Sequence, residues 1–223
     1  MKRLFGVILT LVYSSSTFAA TSNSAMIGAI SEFAALITLI RAMIVAVGIY
    51  TCGQAVVAII KSSKERGSEK TQSVNIALFI VGVVMISISF FITTAGNTIY
   101  GDARSDLAAN YINTVSLDPT SLKQYVDQST VYSSSATGNR FPEKVLKILN
   151  MFVILGGWYG IWRGFRIARI ALISGSDMGG TSLAHKSASI WLHILGGVAL
   201  INIESTMTIA TNIGLVMVNA VAP

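Results

Sequence analysis

The sequence predicts an all-α integral membrane fold. Four transmembrane helices form two hairpins repeated in parallel, with a short, partly helical external segment between them. Three observations carry this. Of 223 residues, 52% are hydrophobic and only 12% are charged, against about 25% charged in an ordinary soluble domain. The apolar residues gather in runs of about 20, the length that crosses roughly 30 Å of hydrocarbon. A short basic turn joins the two runs of each pair. The net charge of +6 is therefore read as membrane orientation and not as nucleic-acid binding, because the positive residues flank apolar spans.

The elements follow in order. Residues 1–19 look like a signal peptide: Lys2 and Arg3, then the apolar LFGVILTLVY, then the small and polar SSSTFAA. Cleavage after Ala19 puts Thr17 at the minus-three position; the alternative is an uncleaved anchor. Residues 20–35 form a small external N-terminal segment. The first hairpin covers residues 36–94, with spans near Leu36–Ile60 and Val74–Thr94 around the turn KSSKERGSEK. Residues 95–144 are an external segment. Within it, Asp118 before Pro119 reads as a helix start and YSSSATGN as a flexible link. The second hairpin covers residues 145–210, and an external tail covers residues 211–223.

Loop charge fixes the orientation. Lys61, Lys64, Arg66 and Lys70 cluster in the first turn, and Arg163, Arg166, Arg169 and Lys186 in the second. The positive-inside rule puts both turns in the cytoplasm and both mature termini on the outer face. Arg163, Arg166 and Arg169 are read as a basic face at the inner interface, with Trp158, Tyr159 and Trp162 as an aromatic belt beside them.

The halves resemble each other. Gly48-Ile49-Tyr50 matches Gly157-Trp158-Tyr159 at an offset of 109, while Gly82 matches Gly197, Ile88 matches Ile203, and Ala95-x-Asn97 matches Ala210-x-Asn212 at 115. Gly48, Gly53, Gly157, Gly160 and Gly164 are the residues expected to let helices approach closely, with Gly160 and Gly164 framing the small-xxx-small motif GIWRG.

Two ionisable residues fall inside apolar stretches. Arg41 and Glu204 reach similar depth with opposite sign, so they are expected either to pair within the membrane or to snorkel to the outer headgroups. Asn150 and Asn202 could add interhelical hydrogen bonds. No hydrolase, metalloprotease or phosphate-loop signature is present: SGSDMGG, residues 174–180, lacks the lysine of a phosphate loop, and His185 and His193 lack acidic partners at metal-ligand spacing. Cys52 is the one cysteine, so no disulfide forms within the chain. No catalytic residue, cofactor or metal is expected.

The leader, span, basic turn and span of the first half resemble a conjugative pilin. The pattern of residues 36–210 resembles the small polytopic inner-membrane subunits of type IVB secretion and conjugation systems, the Dot/Icm and plasmid Tra group that includes IcmC/DotE, IcmD/DotP and DotV. The residues that carry this are Gly48-Ile49-Tyr50 and Gly157-Trp158-Tyr159, the basic turns after them, and Gly82 or Gly196-Gly197 in the returning spans. The resemblance implies a non-enzymatic structural subunit whose partners are the lipid bilayer and other membrane subunits of an oligomeric complex, with no direct contact to nucleic acid. The alternative is a small channel or transporter subunit with a polar path near Arg41, Asn202 and Glu204.

Overall fold

The computed structural model describes residues 23–64, 69–101, 143–174 and 181–221. The signal peptide, most of the external segment and the centres of both turns lie outside them. The described residues are helical: α1 (Asn23–Lys64), α2 (Glu69–Ile86), α3 (Ile88–Tyr100), α4 (Glu143–Ser174), α5 (Thr181–Ile201) and α6 (Ile203–Val221).

α1 is longer than the sequence pattern suggests. The segment expected to precede the first span continues the same helix from Asn23, because Ala25 to Ala35 holds no Pro and no break. Within α1, Ser31–Lys64 is long and apolar enough to cross a membrane. The returning legs are not straight. α2 and α3 meet at 88°, and α5 and α6 at 94°; each bent pair qualifies as a span only when its members are taken together. The straight spans expected for Val74–Thr94 and for the stretch after Ser189 are thus each broken, at Ser87 and Asn202. The stretch read as an external tail is helical to Val221.

Among the described residues, α4 is not one of these candidate spans. Between Lys147 and Arg163 only the 15 residues 148–162 are free of charge. They rise about 22 Å at 1.5 Å per residue, so a crossing by α4 carries charged residues within the roughly 30 Å core. Among the described residues the structure therefore offers one apolar helix and two bent pairs as candidate spans, not four straight ones.

The two elbows share one local construction. The N–H of Ser87 bonds the carbonyl of Val83 and the N–H of Phe91 bonds that of Ser87. The N–H of Asn202 bonds Val198 and that of Thr206 bonds Asn202, each at 3.0 Å. The side chains do the same: Ser87 Oγ donates to Val83 O and Asn202 Nδ2 to Val198 O, both at 2.9 Å. Back-bonding of this kind competes with the helix ladder and bends it. At Ser87, ψ of 33° leaves the helical range and sets the turn. The pairs coincide at the offset of 115. α3 ends at Gly101, whose φ of 50° is left-handed, and its N–H closes on Asn97 O.

The core runs between the hairpins. Ile37 and Ile44 of α1, Met85 of α2, Ile88 and Ile92 of α3, and Met151 and Trp158 of α4 are fully buried. On α3 the buried residues Ile88, Ile92, Gly96 and Tyr100 recur every four positions, so one face packs inward. In lipid the apolar faces have little to gain from leaving the solvent, and close packing has to hold the helices together.

Candidate functional site

Glycine supplies that packing. A Cβ on Gly48 would stand 2.9 Å from Gly82 O and 3.0 Å from Ile86 N. One on Gly157 would stand 2.8 Å from Gly197 O and 3.0 Å from Ile201 N. The reverse contacts match as well. Gly82 approaches Cys52 and Gly48, and Gly197 approaches Ile161 and Gly157. The backbone partners map onto their counterparts, by 109 on the outgoing helix and by 115 on the returning one. The repeat is therefore a repeat of helix–helix contact as well as of sequence.

Gly160 and Gly164 of the GIWRG motif both face α5, at His193, Gly197, Ile190 and Ile194. Gly53 differs: nothing lies within 4 Å of its Cβ position. It makes no close approach to a described residue.

α1 and α4 run parallel, clasped at three levels. Phe33 and Phe152 pack edge to face with centroids 4.8 Å apart. The Arg41 guanidinium lies 5.5 Å above the Trp158 ring and donates to Ser89 Oγ of α3. Arg169 lies 5.1 Å over Tyr50 and donates to Gln54 Oε1 at 2.9 Å, while Gln54 Nε2 donates to the Tyr50 hydroxyl at 2.8 Å. Each hairpin thus sends one arginine onto the aromatic of the other hairpin's repeat motif, Tyr50 of Gly48-Ile49-Tyr50 and Trp158 of Gly157-Trp158-Tyr159. A cation over an aromatic face contributes about 0.5–2 kcal/mol, the upper end when desolvated.

These placements change the reading of several residues. Trp158 is fully buried and belongs to the core cluster, not to an interfacial belt. Tyr159 stays exposed. The three arginines part company: Arg163 and Arg166 are exposed on one ridge, while Arg169 turns a further 60° around the helix toward α1. Arg169 meets Tyr50 and Gln54, which precede Lys61 by eleven and seven residues. It therefore stands above Lys61 and Lys64 along α1, not beside them. Lys61 and Lys64 occupy the exposed last turn of α1, where they complement the helix dipole.

Glu204 sits in the first turn of α6, a favourable end for a carboxylate. It lies past the Asn202 elbow and not along a straight span. Asn202 is fully buried and spends its amide on its own helix, so that donor is not an interhelical one. The elbow helices are tied together by Tyr100 Oη and Thr206 Oγ1, 2.7 Å apart. Sequence reasoning missed Ser89, Gln54, Tyr100 and Thr206. Small polar side chains in apolar runs were the available signal.

Among the described residues, no group of three His, Cys, Asp or Glu is placed to hold a metal ion. What the cluster at Arg41, Ser89 and Trp158 can do chemically is bind and orient helices. No family model matches the chain, and neither a curated protein nor a solved structure matches it.

Proposed function

We propose that this chain is a non-enzymatic structural subunit of a type IV secretion or conjugative transfer apparatus in a bacterial inner membrane. In this reading it crosses the membrane four times, through α1, the two bent pairs and α4, with both short turns cytoplasmic and both mature termini periplasmic. The observation that supports it best is the doubled glycine hairpin. Its interior is filled by side chains such as Ile44, Met85 and Trp158, and its outer faces carry exposed Leu39, Val57, Phe90 and Leu192. A filled core with apolar outer faces suits a part that packs among lipids and other membrane helices.

The test is extraction from its own host in mild detergent, followed by native electrophoresis and mass spectrometry. The expected result is a complex far larger than the 23.7 kDa chain that contains secretion or conjugation subunits, and loss of transfer when the gene is deleted. A functional monomer contradicts the reading.

A second reading, a channel or transporter subunit, draws on the broken returning helices. Helices interrupted within the membrane often line substrate or ion sites, and Arg41 and Asn202 lie near these breaks. Solute flux through proteoliposomes that hold only this chain would favour it.

A further inference from the structure

Arg163 and Arg166 lie on the exposed ridge of α4, with exposed Tyr159 before them and exposed Ile170 and Ile173 after. Neither makes a hydrogen bond or ion pair to a described residue. Their height can be read from α1. Phe33 meets Phe152 and Tyr50 meets Arg169, an offset of 119 in both cases, so Arg163 and Arg166 stand level with Ile44 and Val47. The exposed apolar belt of α1 extends from Leu36 to Ile60. The arginines thus lie about 12–16 Å below Leu36 and about 20–24 Å above Ile60. α2 continues the belt below them with exposed Ile76, Phe79 and Ile80.

Both distances exceed the reach of one arginine side chain, so snorkelling to phosphates at either surface does not satisfy this pair. A charge in the middle of an apolar belt faces a counter-charge or a water-filled cavity. We propose that this ridge of α4 docks a transmembrane helix of another subunit, and that this helix carries a carboxylate opposite Arg163 and Arg166. Charge complementarity names the chemistry, and depth favours a protein carboxylate over a lipid phosphate. Exposed Gly156, with nothing within 4 Å of its Cβ position, leaves room for the partner backbone about two turns above Arg163.

A second copy of this chain is a poorer match. Among the described residues the acids are Glu32, Glu69, Glu143 and Glu204. Glu32 lies above the belt, Glu69 starts α2 at the turn, Glu143 starts α4, and Glu204 is already engaged. The inference rests on the reading of the chain as a subunit of a membrane assembly.

The experiment uses the full chain in its host, with the photo-crosslinker p-benzoylphenylalanine in place of Tyr159 or Ile170. The expected product is an adduct to a membrane protein with Asp or Glu inside a span. It should fall roughly tenfold or more in the R163E/R166E background, since breaking a charge pair out of water is costly. It should return when the partner's acid is changed to arginine. Adducts only to lipid, adducts to a second copy, or a partner adduct indifferent to charge reversal would each overturn the proposal while leaving the assembly reading intact. Because the crosslinker sits beside two native arginines, identification of the partner and of its intramembrane acid does not depend on the reversed variant folding. A chain that migrates as a monomer before irradiation would overturn both.

Discussion

The guanidinium of Arg41 on α1 lies 5.5 Å above the ring of Trp158 on α4, and the same guanidinium holds Ser89 just past the first elbow. One side chain therefore ties the outgoing helix of the first hairpin to its bent return and to the second hairpin. Replacing Arg41 by Met should cost about 1.5–3 kcal/mol, the range of a hydrogen bond to a charged group, while Ser89→Ala should cost less because the cation–π contact survives. Unfolding of the purified protein in mixed micelles measures both. Equal losses for the two variants would show that the aromatic contact adds nothing.

Arg41 and Glu204 provide a separate test. Pairing of the two within the membrane, in one chain or between copies, makes each single alanine variant lose assembly or abundance, while Arg41→Met combined with Glu204→Leu recovers much of it. Normal assembly in both single variants would show that the pair carries no weight.

The glycine contacts predict a sharp positional contrast. Gly157→Ala forces a Cβ to within 2.8 Å of Gly197 O, a backbone atom that cannot swing aside. Its cost is expected at about 1–3 kcal/mol, and Gly48→Ala should behave alike. Gly53→Ala and Gly156→Ala meet open space and should be neutral or slightly stabilising, since alanine is favoured over glycine in a helix by about 0.5–1 kcal/mol. The four variants compared by thermal unfolding separate close packing from general helix propensity.

How much of this was legible beforehand depends on which physical signal each feature leaves in the sequence. The repeat could be read because backbone contact demands glycine at fixed intervals, and Gly48, Gly82, Gly157 and Gly197 recur on two offsets. Gly53 shows the limit of that signal, since glycine alone does not say which face it occupies. The elbows at Ser87 and Asn202 were not readable. No proline marks them, and a serine or asparagine in an apolar run fits a straight helix equally well. The burial of Trp158 was missed for a similar reason, because an aromatic beside arginines looks the same in a core as at an interface. The height of Arg163 and Arg166 depends on the register of α1 against α4, which only the tertiary contacts supply.

The elbow helices should respond as a coupled pair. Tyr100→Phe and Thr206→Val each remove a direct side-chain hydrogen bond between α3 and α6. In a double-mutant cycle the coupling is expected at about 0.5–1.5 kcal/mol. Additive losses would mean that the two elbows are independent.

The parallel repeat requires that the two hairpins enter the membrane in the same direction. Single cysteines placed by Ser63→Cys at the end of α1 and Ser182→Cys at the start of α5, in a Cys52→Ala background, test it most directly with a membrane-impermeant maleimide on right-side-out and inverted vesicles. Both positions should label from the cytoplasmic side, with Ser129→Cys in the external segment labelling from the opposite side. Labelling of Ser63→Cys and Ser182→Cys from opposite sides would contradict the parallel repeat and the function built on it.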